Sequence, residues 1–439
     1  MTINRRHFLS MTGATALVAV CSPQALATST RVQQSSKSVS SAIKNIQKLA
    51  RQKERFLGYP INMNTPPEEF FAWRNELAAS GFNQFAFNNV GNPYEHSHIP
   101  FNCHPFEREL IDRFGALYGF PSGNIWGFLS NSGTDSNLHG LYMGRTILHN
   151  RTGVMPKIYF TKEAHYSIQI LRDVLQLEPV IVSTSPDGAM DPGDLARQLS
   201  IHRNHPALVV ATIGTTFKGA IDPVDAIQEK LRNRDAYLHL DAALFGGFLP
   251  HTPFAAELKQ QARDPLNGSM MNRYDSIAVS CHKFFGFPSP AGLFITTEAN
   301  FDLFREPFSR IHDPEYIKQV PGTISCSRDA VKPAEFYFFS SEKALARQAT
   351  DAKAILDNTA YLLKEMNNHY SYLRPVRAND HSNIVYFITP LKMVVNRYSL
   401  ATMRLDIDGV PTPCAHIVVM PHAKKETLDR FLTDLRTTG

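Results

Sequence analysis

The 439-residue chain has no run of eighteen or more apolar residues beyond position 30, so the body of the sequence offers no membrane-spanning helix. Collagen-like, coiled-coil and low-complexity compositions are absent as well. Charge is nearly balanced: Lys+Arg number 45 and Asp+Glu 40, and the excess of +5 is scattered rather than gathered into basic blocks. A nucleic-acid footprint is thereby excluded. Cysteine is scarce. Beyond residue 27 only Cys103, Cys281, Cys326 and Cys414 remain, too few and too dispersed for a disulfide framework. An oxidising compartment would permit one pair, and four buried thiols are the alternative. Nucleotide fingerprints are missing too, with neither G-x-G-x-x-G nor a Gly-Lys-Ser/Thr ending. What the chain does have is 43% apolar residues, enough for a sizeable core, at a length that suggests two lobes with extensions.

Residues 1–27 carry Arg5-Arg6, a weakly apolar run from Met11 to Val20, and Ala25-Leu26-Ala27. This is the pattern of a twin-arginine export signal with an A-x-A cleavage site. It predicts a periplasmic or secreted protein that engages the twin-arginine export machinery transiently. An uncleaved anchor is the alternative, although the run is short and rich in Gly, Ala and Thr; bulky Val20 argues against a lipid anchor on Cys21. Without the signal the balance is 43 basic against 40 acidic residues. Residues 28–60 are expected to form a Ser/Thr-rich linker and an N-terminal amphipathic helix, the latter over 42–56 from the spacing of Ile43, Ile46, Leu49 and Phe56.

From about residue 105 to 300, helical periodicity alternates with short β-branched runs: Ile158–Phe160, Val180–Val182, Leu208–Ile213, Tyr237–Leu240, Ile277–Val279 and Leu293–Ile295. Such alternation predicts an α/β domain with a mostly parallel sheet, placed at 61–330. A smaller α+β domain is expected over 331–439, with a helix through Ala344–Met366, strands at Ile384–Ile388 and His416–Met420, and a last helix at Lys425–Leu435.

In open α/β sheets ligands gather at the carboxyl ends of strands. After Trp126–Leu129 comes Ser130-Asn131-Ser132-Gly133-Thr134-Asp135-Ser136-Asn137, a small-residue turn entering a helix. It reads as a phosphate site or as an ordinary Ser-capped helix. The other strand ends carry His165-Tyr166-Ser167, Gly214-Thr215-Thr216 with Gly219, Asp241-Ala242-Ala243, and Ser280-Cys281-His282-Lys283 followed by Phe284, Phe285 and Gly286. Together these supply an amine, a strand-tip carboxylate, a flat ring and an anion cradle. Pyridoxal 5'-phosphate needs that set: a lysine for its aldehyde, an acid beside its pyridine nitrogen, a phosphate cradle and surfaces above and below its ring. The segment His96-Ser97-His98 to Cys103-His104 could bind zinc in principle, but its spacing is not a standard ligand set, and no metal is expected.

In their order and spacing, Ser132–Asn137, His165–Ser167, Ile213–Thr216 with Gly219–Asp222, His239–Ala243, Ser280–Lys283 and Thr323–Arg328 resemble the pyridoxal-phosphate-dependent group II amino-acid decarboxylases. The likeness is greatest to the bacterial histidine decarboxylase branch and its plant serine decarboxylase relatives, and covers most of the chain from Gly58-Tyr59-Pro60 to Arg328. It implies a fold-type-I enzyme that decarboxylates an L-amino acid, L-histidine first and serine as the alternative. It further implies that Lys283 carries the cofactor, His165 stacks on it, Asp241 partners its ring nitrogen and Ala243 packs on the opposite face. Ser132, Gly133, Thr134, Ser280 and His282 would meet the phosphate, and Thr215 would lie near the ring. Tyr59, Pro60, His165 and Ser325 fall on the substrate side. Tyr316 matches a mobile-loop tyrosine that protonates Cα, and that loop with Ser325–Arg328 would reach the neighbouring subunit's site, implying a homodimer with shared active sites. Asp135 replaces the usual Glu, Ser132 a glycine, and Cys281 the glycine before the His-Lys pair. A same-fold aminotransferase or lyase and a non-catalytic binding protein are the rival readings.

Overall fold

The computed structural model describes residues 39–436; the export signal expected at 1–27 and the first part of the linker lie outside them. The chain divides into two compact units, one ending at Arg51 and one beginning at Gln52. In the first, the described residues form one helix, Val39–Ala50, whose Val39, Ile43, Ile46 and Leu49 are all exposed. The helix expected over 42–56 therefore stops earlier. A single 3-10 turn, Lys53–Arg55, follows, and the Phe56 ring stacks on Tyr59 at 5.2 Å instead of extending the apolar stripe.

Twelve strands are described: β1 Trp126–Ser130, β2 Lys157–Thr161, β3 Pro179–Val182, β4 Ala207–Thr212, β5 Ala236–Asp241, β6 Gln261–Arg263, β7 Met270–Asn272, β8 Ser276–Ser280, β9 Gly292–Thr296, β10 Ile384–Ile388, β11 Ala401–Ile407 and β12 Val410–Val418. Seven build the main sheet in the order β1-β9-β8-β5-β4-β2-β3, in which β9 runs antiparallel to both neighbours and the remaining pairs are parallel. The carboxyl ends of β1, β2, β4, β5 and β8 consequently fall on one edge. This is the expected mostly parallel α/β sheet.

Strands β1, β2, β4, β8 and β9 are buried on both faces, which is why they read as short continuous apolar runs rather than as alternation. The helix Gly133–Thr152 crosses one face on small residues. A Cβ on Gly140 would stand 2.5 Å from the His239 ring, and one on Gly144 2.7 Å from Tyr237 and Leu208. Glycine there lets helix and sheet approach closely enough to bring the helix N-terminus over the tips of β5 and β8.

The order β10-β12-β11 forms a second, antiparallel sheet near helices Glu342–His369 and Lys425–Arg436. Both sheets share one apolar core, in which Leu240 and Val279 belong with Ile384 and Ile417. The His416 ring sits between two further segments, its nitrogens 2.8 Å from the Phe217 carbonyl oxygen and 3.0 Å from that of Gly58.

Strand β11 and the β6–β7 hairpin have no counterpart among the expected elements. Most residues of β11 are exposed, so no apolar pattern marks it. β12 begins earlier than expected, through Pro411 and Pro413, where only β11 pairs with it. Proline, lacking an N–H, is tolerated at that singly paired end.

Candidate active site

A cavity of about 280 Å³ opens at the shared edge of β1, β2, β4, β5 and β8. Its wall includes Ser132, Gly133, Thr134, His165, Asp241, Ala243, Ser280, His282 and Lys283, so residues as far apart in the chain as Ser132 and Lys283 meet at one place. Pro60 reaches it from the N-terminal side, while Leu244, Tyr166 and Pro290 add apolar and aromatic surface.

The helix N-terminus resolves the two readings of the small-residue turn: both hold. The Ser132 hydroxyl accepts from the Asp135 N–H at 3.2 Å, and the Asp135 carboxylate accepts from the Asn131 N–H at 2.9 Å. This reciprocal cap needs only a short acid, which Asp135 provides. It leaves the N–H groups of Gly133 and Thr134, which no carbonyl of their own helix can reach, available to an anion. A Cβ on Gly133 would lie 2.4 Å from the Ser280 hydroxyl oxygen, so Ser280 closes over the turn only because residue 133 is glycine.

Lys283 sits three residues beyond β8 on a loop held from outside. The Asn62 N–H donates to the Lys283 carbonyl at 3.2 Å and the Asn62 amide donates to the Phe284 carbonyl at 2.9 Å. Burial lowers the Lys283 pKa, and the Asp241 carboxylate opposes that shift only in part. The amine is thereby biased toward its neutral, nucleophilic form. Asp241 is buried at the tip of β5, where one carboxylate oxygen accepts from the Ala243 N–H at 3.2 Å.

His165 caps the helix Tyr166–Val174 with its own ring: Nδ1 accepts the Ser167 N–H at 3.3 Å and lies 2.8 Å from the Ser167 hydroxyl. With Nδ1 an acceptor, the neutral ring carries its proton on Nε2. Burial lowers its pKa, nearby Lys283 lowers it further, and Asp241 raises it. His282 is shifted down for the same first reason, with Lys283 adding to it.

Several wall residues were given no role of their own from the sequence, Thr212, Asn137 and Thr216 among them. Thr212 ends β4 in register with Asp241, and its hydroxyl is buried without a partner. Asn137 lies one helical turn beyond Gly133, and its side-chain oxygen is 2.9 Å from His239 Nε2. Thr216 joins the wall beside Gly214, whose φ of +97° and contact with the Phe245 ring require glycine. The signal for Thr212 was its place at a strand tip.

Other expected site residues lie elsewhere in the chain. Thr215 is turned into its own loop, its hydroxyl accepting the Ala220 N–H at 2.9 Å, and Thr212 and Thr216 flank the cavity in its place. Tyr59 stacks on Phe56, outside the wall. Tyr316 is 79% exposed and lines a separate apolar groove of about 660 Å³ with Tyr142, Phe308 and Ile324. Ser325 also lies off the Lys283 cavity, its carbonyl accepting the Thr323 hydroxyl. The Arg328 side chain is buried: it pairs with Glu107, donates to the Gly91 carbonyl at 3.1 Å and covers the Phe128 ring. Among the described residues no group of three or more His, Cys, Asp or Glu side chains could hold a metal ion. Cys103 is buried and donates its N–H to Asn89, and burial depresses His104 to a pKa of about 4.

A family model described as the pyridoxal-dependent decarboxylase conserved domain matches residues 116–371, a segment that contains this wall from Ser132 to Pro290. The chain belongs to that decarboxylase family. Its relatives include a histidine decarboxylase of Solanum lycopersicum, 31% identical over 398 residues, covering 89% of this chain and 86% of the relative. Serine decarboxylase 1 of Oryza sativa subsp. japonica is 29% identical, covering 88% of this chain and 73% of the relative. Among solved structures, L-methionine decarboxylase from Streptomyces sp. 590 superposes with a TM-score of 0.77 at 21% identity, covering 90% of this chain and 94% of the other. That likeness concerns the fold.

The decarboxylase cavity fits pyridoxal phosphate on its own geometry: an amine biased to neutrality, a buried carboxylate, two unspent N–H groups at a helix start and the partnerless Thr212 hydroxyl converge there. Gly133→Ala, by forcing Ser280 and the helix start apart, is expected to weaken cofactor binding about tenfold or more. Titration of the apoprotein with pyridoxal phosphate measures it; unchanged affinity would remove Gly133 from the cradle.

Proposed function

We propose that this decarboxylase converts L-histidine to histamine and carbon dioxide, with serine as the second substrate to be tried. The observation that carries the decarboxylase chemistry is the convergence of Lys283, Asp241 and His165 on one cavity. Pyridoxal phosphate, when bound, supplies an electron sink for the bond broken at the substrate Cα. Gly133 and Thr134 would hold the phosphate by their N–H groups, and Ser280 would close the cradle. Asp241, a buried carboxylate, would keep a proton at the ring nitrogen of the bound cofactor. His165 presents a flat face whose orientation Ser167 fixes. Lys283 presents at the centre an amine whose burial lowers its pKa and favours the neutral, nucleophilic form.

Two points support a small neutral or imidazole side chain. Histidine and serine decarboxylases recur among the relatives. Among the described residues the cavity wall contains no arginine, so a second substrate carboxylate finds no bidentate partner there. The latter also weighs against an aminotransferase, which must accept a keto-acid partner. Purified protein incubated with each of the twenty amino acids, with release of carbon dioxide and amine measured, is expected to give histamine from histidine. A single different amine would reassign the substrate; a cofactor absorption band without carbon dioxide would replace decarboxylation by another reaction on the same cofactor.

The active unit we propose is a homodimer in which Tyr316 serves the neighbouring site as proton donor to Cα. Its exposure away from Lys283 of its own chain supports this, as does the exposed apolar stripe of Val39, Ile43, Ile46 and Leu49. Mixing inactive Lys283→Ala and Tyr316→Phe chains is expected to restore about a quarter of wild-type activity, because half of the dimers are hybrid and each has one complete site. No restoration would place Tyr316 in its own subunit's reaction or outside it. Export through the twin-arginine route, proposed from Arg5-Arg6, suits a protein that loads its cofactor before leaving the cytoplasm. Fractionation of cells carrying Arg5→Lys/Arg6→Lys tests it, with retention inside expected.

A further inference from the structure

A second cavity, of about 420 Å³, shares the Lys283 loop with the catalytic one, yet no residue lines both. Phe284, Phe285 and Gly286 form part of its wall. Three cations face it, Lys53, Arg347 and Lys424, against one carboxylate, Asp351. The Lys53 amine donates to the Thr65 hydroxyl at 2.8 Å. Among the described residues, the charged heads of Arg347 and Lys424 form neither an ion pair nor a hydrogen bond. Burial raises the Asp351 pKa against the pull of the Arg347 and Lys424 charges, and this one carboxylate faces three cations. Glu69, which also senses Arg347, is engaged by Lys343. The result is a concave site with an excess of positive charge, the geometry that concentrates anions.

This cavity is mechanically joined to the catalytic lysine through Asn62. The side chain and backbone of Asn62 give the two hydrogen bonds that hold the Lys283 and Phe284 carbonyls, and its side-chain oxygen accepts from the Asn64 N–H at 3.0 Å. Asn62, Asn64 and Thr65 all line the second cavity. At Gly286, with φ of +72°, a Cβ would come within 3.0 Å of the Asn62 amide, so the loop turns tightly against this one side chain. Lys53, Arg347 and Lys424 thus share one wall with Asn62, Asn64 and Thr65, the segment whose hydrogen bonds hold the Lys283 loop.

We propose that this second cavity binds a small multivalent oxyanion, inorganic phosphate or a dicarboxylate, and that Asn62 transmits its occupancy to Lys283. The test uses cofactor-loaded protein in a phosphate-free buffer at constant ionic strength, titrated calorimetrically with inorganic phosphate and, separately, succinate. Saturable binding at one site per chain is expected, weakened about tenfold or more in Arg347→Ala/Lys424→Ala, whose turnover without added anion stays at the wild-type level. Tighter phosphate binding identifies a tetrahedral oxyanion, tighter succinate binding a dicarboxylate. The pH profile of the cofactor absorption band is expected to move on anion addition in the wild type, and to stay fixed in the double variant and in Asn62→Ala. Absence of saturable binding, or equal binding by the double variant, overturns the site; binding without a change in the band overturns the coupling. Heat of anion binding is read independently of turnover, so a chain that lacked decarboxylase activity would still decide this proposal.

Discussion

Lys283→Ala is expected to abolish the cofactor absorption band and to reduce decarboxylation by about a thousandfold or more, because no other amine lines the cavity among the described residues. The circular dichroism spectrum should be unchanged, which separates loss of chemistry from loss of fold. A band that survives the substitution would show that another lysine carries the cofactor. The lowered pKa of Lys283 adds a test of its own. A lysine whose folded pKa lies below its unfolded value of about 10.4 makes the folded chain less stable at low pH, and that penalty disappears as pH rises to the unfolded value. The apo form of Lys283→Met is therefore expected to melt above the wild type at neutral pH, with the difference shrinking toward pH 10. Equal melting at neutral pH would mean that Asp241 fully compensates the burial of the amine.

The largest effect on stability is expected far from Lys283, at the pair of Arg328 and Glu107. Both side chains are essentially inaccessible to water, and the network around them is nearly closed. Glu107 accepts from Arg328, from the Leu129 N–H at 3.0 Å and from the Asn89 amide at 3.0 Å, while the Asn89 oxygen accepts the Cys103 N–H at 2.7 Å. Strand β1, the segment around Asn89 and the Arg328 turn are thus fastened to one carboxylate. Glu107→Ala leaves a guanidinium buried without its counterion and is expected to destabilise the fold by about 3–5 kcal/mol. Removing both charges, as in Glu107→Met/Arg328→Met, should recover a substantial part of that loss, since desolvation of an ion pair offsets much of its attraction. Chemical denaturation of the two variants measures the contrast. A double variant as unstable as the single one would show that the hydrogen bonds to Leu129 and Asn89, rather than the charge balance, dominate.

Much of the catalytic wall was legible in the order of residues because parallel strands buried on both faces announce themselves as β-branched runs, and the polar residue after each run must then lie at a carboxyl end. Lys283, Asp241, His165, Ser132 and Gly133 were found this way. The same reasoning places Thr215 at a strand end but cannot say which way its hydroxyl turns. That was decided by Gly214 and Gly219, whose positive φ values fold the loop back so that Thr215 bonds Ala220 while Thr216 faces the cavity. Strand β11 shows a further limit. Its exposed residues carry no period, and it exists by pairing with β12, a partner that local sequence does not name.

Arg328 and Tyr316 mark the same boundary on the site itself. Both belong to stretches that resemble parts of a shared active site, yet one side chain is locked onto Glu107, 221 positions away in the chain, and the other stands free on the surface. Sequence by itself determined the family, the cofactor's chemical requirements and the strand ends that meet them, because those depend on residue type and local periodicity. Tertiary structure alone decided which hydroxyls face the cavity, which charges are buried together and where the Lys283 loop is held, because burial and hydrogen-bond pairing depend on residues that only folding brings together.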